Sequence, residues 1–320
     1  MDYISLLQKE MRPAFGCTEP IALAYAAAKA ASVLDEFPNH IHARCSANII
    51  KNVKSVVIPN SGGRKGLAAA TVLGAIVGHP ERELEVLESA TDEDRKWLGT
   101  LLEANFCTVE LAEGVDNLYI EITATTDEHT AVVRIENAHT NITYVSVNGN
   151  VISETINEIK EAESSTCPMT FDSIYEFAKA GDISGILPSI KQQVEYNTAI
   201  SNEGLSNDYG ANIGRLLLLD DETPSLETKC KARAAAGSDA RMSGCPLPVV
   251  ICSGSGNQGL TVSMPIITTA EELGKTDEEL YRALVFANLL TLYVKSGIGK
   301  LSAYCGVVSA GIVSVAGIAF

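Results

Sequence analysis

Basic residues are scarce in this chain of 320 residues: 24 Lys and Arg stand against 40 Asp and Glu, a net charge of −16. Nucleic acid is excluded as a partner, since phosphate neutralisation needs clustered cations, and an anionic membrane surface is disfavoured for the same reason. Paired cysteines are lacking as well. The eight present (Cys17, Cys45, Cys107, Cys167, Cys230, Cys245, Cys252 and Cys305) are dispersed with no CxxC, and no Cys or His pair has zinc-ligand spacing. The opening MDYISLLQKEMRP reads as a mixed-charge amphipathic helix and not as a targeting segment. A chain this large is not a disulfide scaffold, so a reducing cytoplasm is the expected setting, with most cysteines acting as small buried apolar groups. There is no internal repeat, no low-complexity tract and no lysine in a clear pyridoxal-phosphate setting.

What is present is core-forming material: 46% of residues are hydrophobic and 20% charged, the balance of a globular protein. Residues 2–11 predict a short helix ending at Pro13. Residues 20–34 predict an alanine-rich helix with Thr18 as N-cap and Pro20 in the first turn. Cys17 then lies just ahead of a helix N-terminus, where a thiolate is favoured and the thiol pKa is expected to fall. Two β-like runs, 41–48 and 53–58, precede the loop PNSGGRKG, a small-residue helix at 66–77 and two charged helices near 81–90 and 92–104. From Cys107 to Ile152 the period becomes two, with strands at 107–111, 118–125, 130–136 and 142–147, an antiparallel sheet. The acidic stretch 157–166 is the expected linker. Helices follow near 170–180, 184–206, 209–219, 224–236, 260–273 and 277–295, around an irregular glycine-rich stretch at 237–259. Helices, then strands, then helices predict an α+β fold. The expected division is a discontinuous helical catalytic domain (1–40 and 167–320) and an α+β module with an antiparallel sheet (41–156).

Three stretches carry candidate chemistry. In Ser238-Asp-Ala-Arg-Met242, Arg241 could grip a carboxylate and Asp239 receive an ammonium group, beside the plainer reading of a loop ion pair or helix cap. Gly254-Ser-Gly-Asn-Gln-Gly259 matches GxGxxG, but Pro265 interrupts the helix expected after it and no βαβ pattern surrounds it; a binding loop presenting Ser255, Asn257 and Gln258 is the favoured reading. His139-Thr140-Asn141 joins two strands and on its own predicts a structural turn. The last twenty residues, Leu301 to Phe320, carry no charge and meet the length of a membrane span, yet half of them are Gly, Ala or Ser. A buried core helix is favoured.

Taken together, Gly16-Cys-Thr-Glu-Pro20, His139-Thr-Asn141, Ser238-Asp-Ala-Arg-Met242, Ser253-Gly-Ser-Gly-Asn-Gln-Gly259 and Leu301-Ser-Ala-Tyr-Cys305 resemble, collinearly, the L-cysteine desulfidase family, relatives of the iron–sulfur L-serine dehydratase α chain. The resemblance implies a [4Fe–4S] cluster with one open iron, held by three cysteines of which two match Cys17 and Cys305. The third lies in a Cys-Asp-Gly motif that this chain does not reach, and Ala138 stands where the family has glycine. It further implies β-elimination of L-cysteine to hydrogen sulfide, ammonia and pyruvate. In that reading Ser238, Asp239 and Arg241 are the catalytic candidates, and His139, Thr140, Asn141, Ser255, Asn257 and Gln258 hold the amino acid. A homo-oligomer is compatible with all of this. Two alternatives stay open: an L-serine dehydratase, or a cluster-free binding or structural protein lacking the third ligand.

Overall fold

A computed structural model describes residues 2–155, 169–219, 222–297 and 306–320. The first part of the chain runs α1 (Tyr3–Glu10), β1 (Pro13–Phe15), α2 (Thr18–Ser32), β2 (His40–Cys45), α3 (Ala47–Val53), α4 (Leu67–Val77) and α5 (Asp92–Glu103). Five strands follow: β3 (Cys107–Leu111), β4 (Tyr119–Thr125), β5 (Thr130–Glu136), β6 (Ile142–Val147) and β7 (Asn150–Glu154). The remainder is α6 (Phe171–Ala180), α7 (Leu187–Ser206), α8 (Ile213–Leu219), α9 (Leu226–Met242), β8 (Pro248–Val250), α10 (Gly256–Leu273), α11 (Asp277–Ser296) and α12 (Gly306–Ala319). The fold is α+β, with its sheet in the N-terminal half.

Contacts group the chain into two compact units, Met1–Ala14 with Glu161–Ser243 and Leu247–Phe320, and Phe15–Lys160 with Gly244–Pro246. The expected division put residues 1–40 with the C-terminal helices; α2 instead packs on α4, β4 and β5. The reason is its composition. Alanines 22, 24, 26, 27, 28 and 30 are fully buried, and α4 approaches so closely that a Cβ on Gly74 would stand 2.2 Å from the Ala24 carbonyl oxygen. Only glycine fits there.

In this second unit the strand order is β3-β2-β4-β5-β6-β7. β2 pairs parallel with β3 and antiparallel with β4, so the sheet is mixed where a purely antiparallel one was expected. Alternation decides its faces. Ile41, Ala43, Ile122, Ala124 and Val133 are fully buried, whereas the opposite face carries Arg44, Glu121 and Arg134. The strand expected at 53–58 does not form, and the one expected at 41–48 stops at Cys45. Ser46 caps α3 by accepting the Ile49 N–H, and Ile49 and Val53, one turn apart, point inward. The helix expected at 81–90 is a 3-10 turn, Pro80–Glu85.

The other unit is a helical bundle in which α7, α9 and α10 pack on one another and α12 lies on α10 and α11. Glycines again set the spacing between helices: Gly204 of α7 would place a Cβ 2.1 Å from the Ala236 carbonyl oxygen of α9. Two expectations are corrected here. Helix α9 runs through Ser238–Met242, which therefore lie in a helix and not in an irregular loop. Helix α10 begins at Gly256 and continues through Pro265 to Leu273. The linker expected at 157–166 and residues 301–305 lie outside the described residues. Of the apolar C-terminal segment, α12 buries Ala310, Val313, Ser314 and Gly317 on one stripe and exposes Val308, Ile312 and Val315 on the other. It is a one-sided core helix, and no described helix is long and apolar enough to cross a membrane.

Candidate functional site

The end of α9 and the start of α10 bring five of the candidate residues into one cluster. Strand β8 leads into a tight turn in which Cys252 and Ser255 exchange backbone N–H···O bonds of 3.2 Å, with Ser253 at φ +51° and Gly254 at φ +77°. A serine in the left-handed region costs roughly 1–2 kcal/mol and is held there by its surroundings. Ser255 then caps α10, its Oγ accepting the Gln258 N–H at 3.5 Å. The GxGxxG match is thus a real strand–turn–helix, but β8 belongs to a two-stranded sheet with β1 and not to a βαβ unit. Third-glycine geometry is nevertheless present: a Cβ on Gly259 would sit 2.1 Å from the Val250 carbonyl oxygen.

Arg241 enters this helix start from α9. It is 3% exposed, and its Nη1 donates to Asn257 Oδ1 at 2.9 Å. Gly256 makes room for it, because a Cβ there would lie 2.3 Å from Arg241 Nε. Gln258 is 4% exposed and presses against Gly306, where a Cβ would meet its amide at 2.4–2.7 Å. Among the described residues, Arg241 Nε and Gln258 Oε1 have no hydrogen-bond partner. An orphaned donor on a cation and an orphaned acceptor, both buried, are costly unless something arrives to pair them. Ser238 is half-buried, three residues before Arg241 and so on the same side of α9. Asp239 faces elsewhere: its Oδ2 accepts the Ile213 N–H at 3.0 Å and so caps α8. The plainer reading of Asp239 is the one its contacts fit.

Cys17, His139, Thr140 and Asn141 belong to the sheet-bearing unit. Cys17 is itself the N-cap of α2, without a capping bond, and the expected cap Thr18 is the first helical residue. Cys17 is 8% exposed, and its thiol donates to Glu19 Oε2 at 3.1 Å. Glu19 is held in turn by Asn52 Nδ2 on Oε1 at 3.3 Å and by Thr18 Oγ1 at 3.2 Å. The immediate neighbour of the thiol is thus an anion as well as a helix N-terminus. Sequence reading passed over Asn52 and the loop that presses on Gly16, whose Cβ would overlap Pro59 Cγ at 2.0 Å. The available signal was the glycine directly before the cysteine, which takes φ +72° in the structure. His139, Thr140 and Asn141 form the β5–β6 turn. Asn141 closes it, its Nδ2 donating to the Glu136 carbonyl at 2.9 Å and its N–H to Ala138 at 3.0 Å.

Cys305 lies outside the described residues. Among those described, no three His, Cys, Asp or Glu groups gather as a metal site, so they do not assemble a cluster-binding set. Of the other described thiols, Cys45, Cys230, Cys245 and Cys252 are buried and Cys107 is half-buried. Burial pushes Cys45, Cys107 and Cys252 up to about 12, in Cys252 with a further push from Glu10 against the pull of Thr291 and Lys295.

A family model described as the serine dehydratase alpha chain matches residues 81–320. A UPF0597 protein of Finegoldia magna is 47% identical over all of this chain and 76% of its own length. UPF0597 proteins of Lachnoclostridium phytofermentans and Desulfitobacterium hafniense are 44% and 45% identical over 99% of the chain, covering 76% and 74% of theirs. With a family model spanning most of its length and such relatives along all of it, the chain belongs to the serine dehydratase alpha chain family.

Proposed function

We propose that this protein is a lyase that eliminates the β-substituent of a small L-amino acid, with L-cysteine as substrate, yielding hydrogen sulfide, ammonia and pyruvate. The observation that carries the reading is the pair of orphaned buried atoms at the start of α10, Arg241 Nε–H and Gln258 Oε1. A zwitterionic amino acid offers the complement of each. Its carboxylate takes the guanidinium N–H in a charge-assisted bond, and its ammonium donates to the amide oxygen. Asn257 keeps the guanidinium in place at 2.9 Å, and Ser255 fixes the helix start. A base removes the proton at Cα as the C–S bond at Cβ breaks, the electron pair leaving with sulfur. The enamine tautomerises and hydrolyses to pyruvate and ammonia. Ser238, His139 and Thr140 remain substrate-contact candidates, whereas Asp239 and Asn141 are engaged with backbone groups and act structurally.

The family implies a [4Fe–4S] cluster that would supply Lewis-acid chemistry, with Cys17 and Cys305 as the proposed ligands. A second reading is a cluster-free amino-acid-binding protein without turnover, in which the same orphaned pair holds the amino acid and no bond is broken. Anaerobic reconstitution separates the two. Iron uptake with sulfide release from L-cysteine outpacing pyruvate release from L-serine is the expected outcome. Faster turnover of serine would make it a serine dehydratase, and binding of amino acid without iron or turnover would establish the second reading.

A further inference from the structure

The turn that carries the candidate site is short, contains a serine in the left-handed region, and joins a three-residue strand to a helix. Something must hold both of its ends. On one side, β8 pairs with β1, and the Ile251 N–H donates to the Arg12 carbonyl at 2.9 Å. On the other side no strand pairs with β8 among the described residues. Its place is taken by one side chain, Asn197 of α7, which is fully buried. Asn197 Oδ1 accepts the Val250 N–H at 2.9 Å, and Nδ2 donates to the Val250 carbonyl at 3.5 Å, so the amide imitates a neighbouring strand. The same Nδ2 donates to Ser263 Oγ at 2.9 Å, and that hydroxyl donates to the Gly259 carbonyl at 2.7 Å. Val250 precedes the turn, and Gly259 and Ser263 follow it in α10.

From this geometry we infer that Asn197 is a positioning residue for the candidate site, clamping both ends of the segment 251–258 so that Gln258 and the helix start meet Arg241 in one arrangement. Every hydrogen-bonding atom of its amide is spent on that segment's flanks. The amide pair Gln193–Asn288, one turn earlier on α7, differs in this respect: it joins α7 to α11 at 2.9 and 3.2 Å without touching the turn. The role rests on the reading of the α10 start as an amino-acid site, but the clamp can be tested apart from it.

The test compares Asn197→Leu, which keeps the shape and removes every bond, with Ser263→Ala, which removes only the α10 arm. Ile190→Ala, a fully buried site on the same helix, serves as a comparator for plain loss of packing. Hydrogen exchange over residues 250–259 and calorimetric titration with L-serine and L-cysteine are measured on each. Losing these buried hydrogen bonds should speed exchange in Asn197→Leu about tenfold or more and weaken amino-acid binding about tenfold, with Ser263→Ala intermediate. The comparator, at a matched fall in Tm, should leave both near the parent. Equal exchange in Asn197→Leu and Ile190→Ala would overturn the clamp. If Asn197→Leu does not fold, Ser263→Ala decides by the same comparison. A parent protein that binds neither amino acid would sink the functional reading, and the exchange arm would still judge the clamp.

Discussion

Two clusters in this protein each centre on a buried charged side chain, Glu121 in one and Arg241 in the other, and end in opposite conditions. On the outer face of the sheet, Glu121 accepts from Arg44 at 2.9 Å, Arg134 at 2.8 and 3.1 Å and Tyr119 at 2.9 Å, with Arg134 lying over the Tyr144 ring. Both carboxylate oxygens are used. At the start of α10, Arg241 is at least as buried but keeps its Nε without a described partner, as Gln258 keeps its Oε1. A closed network rigidifies a sheet, while an open one holds a standing cost that a bound molecule can remove. The contrast separates architecture from candidate site better than burial or charge alone.

The comparison is sharpest at Arg241. Replacing it by Met keeps the volume and removes the orphaned donor, so amino-acid affinity should fall about ten- to a hundredfold, the worth of a charge-assisted bond. The Tm should stay level or rise, because the unpaired group is gone. Calorimetric titration beside a thermal melt checks both, and unchanged affinity would remove Arg241 from the site.

Glu121→Gln should do the reverse, costing about 1–2 kcal/mol of stability, discounted for the partly exposed arginines, and leaving affinity alone. Burial pushes the Glu121 carboxyl up, but the hydrogen bonds from Arg134, Tyr119 and Arg44 outweigh it, and its pKa lies below the ordinary glutamate value. A lowered folded pKa stabilises above the unfolded value, about 4.3, and that contribution is lost as pH falls through the folded one. The stability gap between parent and variant should therefore be full at pH 7 and close below about pH 4. Denaturant melts across pH 3–7 measure it; a gap independent of pH would mean the network is not held by the carboxylate charge.

The smallest effect belongs to Asp239→Ala. Loss of the bond to the Ile213 N–H should cost about 1 kcal/mol, as for a helix cap, and leave affinity within about twofold. A large fall in affinity or turnover at unchanged stability would return Asp239 to the catalytic group.

Much of this was readable in the residues. Alternation marks β4 and β5, since a strand with one buried face repeats every two residues whatever covers it; β3 carries the same period, yet its Val109 and Leu111 are exposed. Alanine content and the absence of breakers mark α2 for similarly local reasons. Other segments carried conflicting local signals. Ser46–Val53 contains two isoleucines and two valines flank its end, a β-like composition, yet a serine cap and burial of Ile49 and Val53 on one side make it helical. The glycine-rich Gly237–Gly259 reads as loop throughout, although its two ends are the last turn of α9 and the first of α10. There glycine serves close packing, and packing distance is not written in a propensity.

Ser255 as a cap, Gly74, Gly256 and Gly259 as points of close approach, and the polarity of Arg241, Asn257 and Gln258 follow from residue type. Which of those polar atoms are satisfied does not. Arg241 and Asn257 lie sixteen residues apart, Asn197 reaches Val250 across fifty-three, and Asp239 finds the Ile213 N–H twenty-six residues away. A hydrogen bond needs its partner within about 3 Å, and at such separations along the chain only the packing of α7, α8, α9 and α10 against one another can bring it there.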